Sequence, residues 1–183
     1  EMGPDHPECP ERVGAINDML LTKGLLDYMH PYDAPLATPE QLAHAHSSLY
    51  VAELMDASPA EGYHRVDPDT EMNPFTIKAA LRAAGAVVQA TDLVVSGEAP
   101  SAFCCVRPPG HHAERAAAMG FCFFNNIAVG IRHALTELGV QRVALIDFDV
   151  HHGNGSEDIF QGDERVLMCS IFESGIYPFS GDN

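Results

Sequence analysis

The sequence predicts an α/β protein built on a parallel sheet, and three observations carry that prediction. Short apolar runs at SAFCCV (101–106), RVALIDFDV (142–150) and VLMCSIF (166–172) read as buried strands. An amphipathic helix pattern, NIAVGIRHALTELG (126–139), separates the first two, and a shorter helical stretch separates the last two. Strand–helix–strand order implies right-handed crossovers, and therefore a parallel sheet covered on both faces.

Taken in order, the N-terminal third alternates proline-rich turns with short helices. PERVGAINDMLLTKG (10–24) places Val13, Ile16, Leu20 and Leu21 at helical spacing, with Pro10 near its start and Gly24 at its end. TPEQLAHAH and SSLYVAELMDA read as two more helices, from about residues 39 and 47. The polar segment from Glu61 to Pro74, with its prolines and aspartates, reads as a loop at the rim. NPFTIKAALRAAGAVVQATDLVVSG (73–97) is the longest helix pattern, and its small residues suit close packing. The 126–139 helix ends at a C-cap glycine, Gly139. No internal repeat or low-complexity segment interrupts the chain, and His6, His44, His46, His64 and His133 read as surface or capping residues.

With 183 residues, 46% hydrophobic and 20% charged, the chain suits one soluble domain with a substantial core. A formal charge of −16 and a pI near 4.8 argue against direct nucleic-acid binding, which wants a basic patch, and leave room for cationic partners. The five cysteines are odd in number and form no C-x-x-C pair, which points to a reducing compartment, the cytoplasm. No apolar run has the length of a membrane span and no signal peptide shows. The chain begins with Glu1 rather than methionine, which leaves room for an upstream piece.

In sheets of this kind ligands bind beyond the carboxyl ends of the strands. Two histidine stretches are expected there: RPPGHH (107–112) after the first strand and DFDVHHGNG (147–155) at the end of the second. Asp147, Asp149 and His151 are two residues apart in an extended segment and so face one side, where two carboxylates and an imidazole need a cation or a proton. An Asp-x-His pair suits zinc; capping of loops by Asp147 and Asp149 is the plainer reading. His111 and His112 follow a turn stiffened by Pro-Pro-Gly, and a histidine oriented through its second ring nitrogen acts as a general base near neutral pH. Asp147 and Asn154 are the candidate orienting groups.

RPPGHHA (107–113), GFCFFNN (120–126) and DFDVHHGNG resemble the zinc-dependent histone deacetylase family, which includes bacterial deacetylase-like amidohydrolases and acetylpolyamine amidohydrolases. HPECPERV (6–13) and ESGIYPFSG (173–181) fit the same pattern, and Asn154 is more like the class II branch, where class I usually has aspartate. The resemblance implies a three-layer arginase/deacetylase-like fold with a mainly parallel sheet, and hydrolysis of acetyl-lysine or a related acetylated amine with release of acetate. It implies Asp149 and His151 as zinc ligands, His112 beside Asn154 as the general base, and His111 paired with Asp147. Gly120 and Phe121 would line an acyl channel, with Tyr177 as its facing wall and Arg12 at its inner end. A potassium ion would sit near the zinc, at Asp147, Asp149, His151 and Ser170, and a second monovalent ion at Phe160, Asp163 and Val166.

The family's third zinc-binding aspartate and its transition-state tyrosine come from later motifs with no counterpart here, so residues 1–183 read as the N-terminal portion of one catalytic domain with an incomplete sheet. Such a sheet invites self-association through its uncovered edge or face. Two other readings stay open: a non-catalytic module that binds acetylated ligands or a partner chain, and an arginase-type manganese hydrolase, against which the Arg-Pro-Pro-Gly-His-His segment speaks.

Overall fold

A computed structural model describes residues 2, 3 and 6–182. Three helices open the fold: α1 (Glu11–Thr22), α2 (Pro39–Ala43) and α3 (Ser48–Asp56). Helix α2 starts at a capping box, in which Thr38 accepts from the Gln41 N–H while the Gln41 side chain accepts from the Thr38 N–H. At the start of α3 the Ser47 hydroxyl accepts the Tyr50 N–H, a simple cap without the reciprocal bond. Leu42, Ala45, Tyr50, Val51 and Leu54 from this part enter the core, whereas no residue of α1 is buried.

The two long helices, α4 (Thr76–Val95) and α5 (Asn126–Thr136), pack side by side. Their approach is close because Gly130 of α5 faces Val87 and Thr91 of α4, where a Cβ would lie 2.5 Å from a Val87 methyl. The His133 Nε2–Asp92 Oδ1 contact of 2.7 Å ties them laterally. Strands β3 (Val143–Asp147) and β4 (Val166–Ser170) pair in parallel, with α6 (Asn154–Phe160) as the crossover. Register runs from Val143 opposite Val166 to Asp147 opposite Ser170, so the strands' carboxyl ends finish together.

The structure revises four expectations. The 61–74 segment is not all loop: β1 (His64–Asp67) and β2 (Thr70–Met72) form an antiparallel hairpin around Pro68-Asp69. Its hidden pattern is the period-two burial of Thr70 and Met72, pinned by the cross-strand Arg65–Glu71 ion pair at 2.6 Å. SAFCCV is extended but joins no ladder among the described residues, and Phe103 is exposed. An apolar run becomes a strand only when a neighbour pairs with it. The β3–β4 pair is covered on one face, not two: Leu145 is buried while Ile146 and Leu167 are 57% and 64% exposed. Finally, His46 and His133 are buried rather than surface residues.

Candidate active site

The loop from Arg107 to Ala113 carries His111 and His112, and long-range contacts hold it from both sides. Arg107 forks onto the buried Glu8 carboxylate, with Nε–Oε1 at 3.0 Å and Nη2–Oε2 at 2.6 Å. Asn126 donates to the Pro108 carbonyl and Asn125 to the Ala113 carbonyl, fixing the loop to the start of α5. The Ser156 N–H donates to the His111 carbonyl at 3.1 Å. Residue 155 must be glycine at this junction, since a Cβ there would collide with the Ala113 carbonyl. The histidine loop and the start of α6 therefore meet backbone to backbone.

That junction orients both imidazoles. His112 donates through Nδ1 to Asn154 Oδ1 at 2.8 Å, and the Asn154 amide nitrogen donates to Glu114 Oε1 at 2.9 Å. His111 donates through Nδ1 to Asp147 Oδ2 at 3.0 Å, and its Nε2 lies 4.0 Å from Asp149 Oδ1. Burial, then the neighbouring His111, pushes the His112 pKa down to about 4, so it is neutral at physiological pH. Burial pushes the Asp147 carboxyl up, but hydrogen bonds from His111 and the Asp149 N–H outweigh it and leave the carboxyl below its usual range.

Asp149 and His151 follow β3. The Asp149 N–H donates to Asp147 Oδ1 and the His151 N–H to Asp149 Oδ1, a pair of Asx-type turns that curl the segment into the rim. Asp149 Oδ1 and His151 Nδ1 are 3.1 Å apart, with the side chains 50% and 42% exposed. An oxygen and a nitrogen each about 2.0–2.1 Å from a tetrahedral zinc lie roughly 3.3 Å from one another, so this pair has the spacing of two ligand positions. Among the described residues no group of three His, Cys, Asp or Glu side chains is placed to hold a metal. The donor set on hand is two.

The opposite wall is aromatic. Tyr177 meets His112 edge-on with ring centres 5.0 Å apart and His151 at 6.2 Å. Its hydroxyl is buried with no hydrogen-bond partner among the described residues, and burial, then Asp69 and Asp67, raises its pKa. Gly120 lies against His112: its φ is +58°, and a Cβ would fall 2.5 Å from the imidazole. Phe121 adopts φ +68°, a rare conformation for a bulky side chain, and packs against His6 at 4.6 Å. The hairpin turn supports this bend, as Asp69 Oδ1 accepts the Gly120 N–H and Thr70 Oγ accepts the Phe121 N–H.

The structure thus brings together His111, His112, Asp147, Asp149, His151, Asn154, Gly120 and Tyr177. Ser170 joins them at the end of β4 opposite Asp147, and its hydroxyl is buried without a partner. Arg12 is engaged elsewhere, donating to the Val106 carbonyl at 2.6 Å beside Glu8. Phe160, Asp163 and Val166 form one turn at the start of β4, the end away from the histidines. The Asp163 carboxylate there is gripped by Arg165 and Arg132 and held well below its usual pKa, mainly by Arg165. Reading the sequence misses Asp69, Thr70, Glu8, His46 and Glu114. The signals that touch any of them are the turn dipeptide in DPDT, the place of Glu8 within HPECPERV and the position of Glu114, two residues past His112.

Comparison with known proteins identifies the family and the fold. The histone deacetylase domain family matches residues 6–183. An uncharacterised Synechocystis protein is 37% identical over 99% of this chain and 60% of its own length. The histone deacetylase-like amidohydrolase of Pseudomonas aeruginosa is 39% identical over 94% of this chain and 45% of its own. For the polyamine deacetylase HDAC10 of Rattus norvegicus the figures are 39%, 94% and 31%. The chain therefore spans less than two thirds of these relatives. The crystal structure of the HDA15 HD domain superposes with a TM-score of 0.93 at 35% identity, covering 99% of this chain and 54% of that one. The fold is the arginase/deacetylase one expected from the sequence. The chain belongs to the histone deacetylase domain family.

Proposed function

We propose that this chain carries the proton-transfer and metal-facing residues of a zinc-dependent deacetylase that hydrolyses acetyl-lysine or an acetylated polyamine. The observation that carries the reading is the buried His112–Asn154 pair, at 2.8 Å, with its ring 5.9 Å from that of His151 in the Asp149–His151 donor pair. Zinc, when bound, supplies a Lewis acid that polarises the acetyl carbonyl and makes water a better proton donor. Asp149 and His151 are the residues that would hold it, with a further donor from outside the described residues.

His112, neutral and with Nδ1 engaged by Asn154, keeps Nε2 free to accept the proton of the attacking water. His111, hydrogen-bonded to Asp147 beside His112, is placed to pass a proton to the departing amine. Gly120 and Tyr177 both pack against His112 and would narrow the approach to a slender acyl chain, with Phe121 next in sequence to Gly120. Arg12 would act at the inner end through the Val106 segment to which it is bonded.

An oxygen-rich cation site suits the end of β3 and β4, where the partnerless Ser170 hydroxyl lies opposite Asp147; potassium would sit there with Asp147, Asp149 and His151. The Phe160–Asp163–Val166 turn would take a second monovalent ion through backbone oxygens, since the Asp163 carboxylate is occupied by arginines. The charge of −16 favours cationic substrates, in keeping with a relative that is a polyamine deacetylase. Five unpaired cysteines support a cytoplasmic setting, and no described helix is long and apolar enough to cross a membrane.

The test is zinc content together with acetate release from an acetyl-lysine peptide and from an acetylpolyamine. Zinc bound by the wild type and lost in Asp149→Ala, with turnover lost in His112→Ala, is the expected result. Zinc retained in Asp149→Ala sinks the ligand assignment.

A further inference from the structure

Glu114 lies two residues beyond His112, half-buried, and its main chain is fixed at both ends. Its N–H donates to the Ala117 carbonyl and its own carbonyl accepts from His46 Nδ1, each at 2.9 Å. His46 is itself immobile: buried, it accepts the Asn125 N–H at Nε2, so Nδ1 is the nitrogen that bears its proton. From this anchor the Glu114 carboxylate reaches Asn154, accepting its amide nitrogen at 2.9 Å; the same nitrogen points at Met119 Sδ at 3.2 Å.

A carboxylate accepts hydrogen bonds and donates none. With Glu114 in place, the Asn154 amide has one favourable orientation: nitrogen toward Glu114, oxygen toward His112. Turned over, its oxygen would face the carboxylate and its NH2 would face His112 Nδ1, which would then have to accept and pass its proton to Nε2. The two orientations of the amide therefore correspond to the two tautomers of His112, and only the first leaves Nε2 bare. An aspartate at 154 would accept from His112 in either orientation and would need no such support.

We propose that Glu114 is a positioning residue: by accepting the Asn154 amide it fixes which way that amide faces, and so which nitrogen of His112 carries the proton. The consequence for proton transfer rests on the deacetylase reading above; the tautomer itself does not.

The experiment is 15N NMR of the full chain labelled at histidine, at neutral pH, with the His112 signals assigned by their absence in His112→Ala. The wild type is expected to show a protonated Nδ1 and a bare Nε2. In Glu114→Gln the new amide can present oxygen or NH2 to Asn154, and a mixture of tautomers is expected. The double variant Glu114→Gln/Asn154→Asp restores the Nδ1–H form, because the aspartate accepts from both neighbours. If Glu114→Gln does not fold, Glu114→Asp keeps the charge, withdraws the acceptor by one methylene, and carries the same expectation. A wild type protonated at Nε2, an unchanged tautomer in the single variants, or a double variant that fails to restore it overturns the inference. In parallel, the kcat of Glu114→Gln on an acetyl-lysine peptide falls about tenfold with KM unchanged. An inactive wild type with the expected spectra would sink the deacetylase reading and leave the inference standing.

Discussion

His112 and His151 have ring centres 5.9 Å apart, yet they are built into different surroundings. His112 is 4% exposed, bonded to Asn154, backed by Gly120 and faced by Tyr177. His151 is half-exposed, and its described side-chain hydrogen bond is to Asp149, itself half-exposed. The groups that touch the first, Asn154, Gly120 and Tyr177, all belong to this chain. The second pair offers two donor atoms to whatever ion and further donor meet them. A proton-transfer residue must be held in one tautomer and kept from water, whereas a metal ligand is ordered by the ion it binds.

The comparison breaks most visibly at His112. His112→Ala should cut kcat by roughly 10²–10⁴-fold while zinc content stays as in the wild type, read by turnover and elemental analysis. Asp149→Ala should abolish zinc, and turnover with it, while the NMR signals of His112 stay in place. Zinc lost in His112→Ala, or His112 signals shifted in Asp149→Ala, would show the two halves to be one unit.

A smaller effect concerns the support beneath His112. Burial pushes the His46 pKa from the usual 6.5 down to about 4, against the opposing pull of hydrogen bonds to the main chain at Glu114 and Arg115. A folded pKa below the unfolded one means the unfolded chain binds the proton more readily. The contribution of neutral His46 is thus present above about pH 6.5 and lost as pH falls toward 4, amounting to about 3 kcal/mol. His46→Gln should flatten the wild-type decline in Tm across that window; equal slopes would refute it. Gly120→Ala, forced to φ +58° against the imidazole, should cost about 1–3 kcal/mol of stability by thermal melting. Least of all, Leu167→Lys on the bare face of β4 should change stability by no more than ~0.5 kcal/mol while reducing self-association in sedimentation.

Much of this was legible in the residues. Helices α1 to α5 lie where their apolar spacing predicts them, α2, α3 and α5 behind side-chain caps, and the two histidine stretches meet beside the carboxyl ends of β3 and β4. What the chain hid were relations between distant residues. SAFCCV has strand composition but nothing to pair with among the described residues, and composition carries no information about neighbours. His46 looks like a solvent histidine because its two partners, a carbonyl at 114 and an N–H at 125, are backbone groups with no residue signature. The hairpin escaped notice since its strands are polar, and only Thr70 and Met72 turn inward. Ser170 and Tyr177 were legible through motif resemblance, their partnerless hydroxyls only through structure.

Glu8 has a consequence in time as well as space. Its carboxylate is the anchor of Arg107, 99 residues away, and closing so long a loop costs conformational entropy before any contact rewards it. Contacts of that span form slowly, and the turn carrying His111 and His112 has this support only once the N-terminal segment has docked.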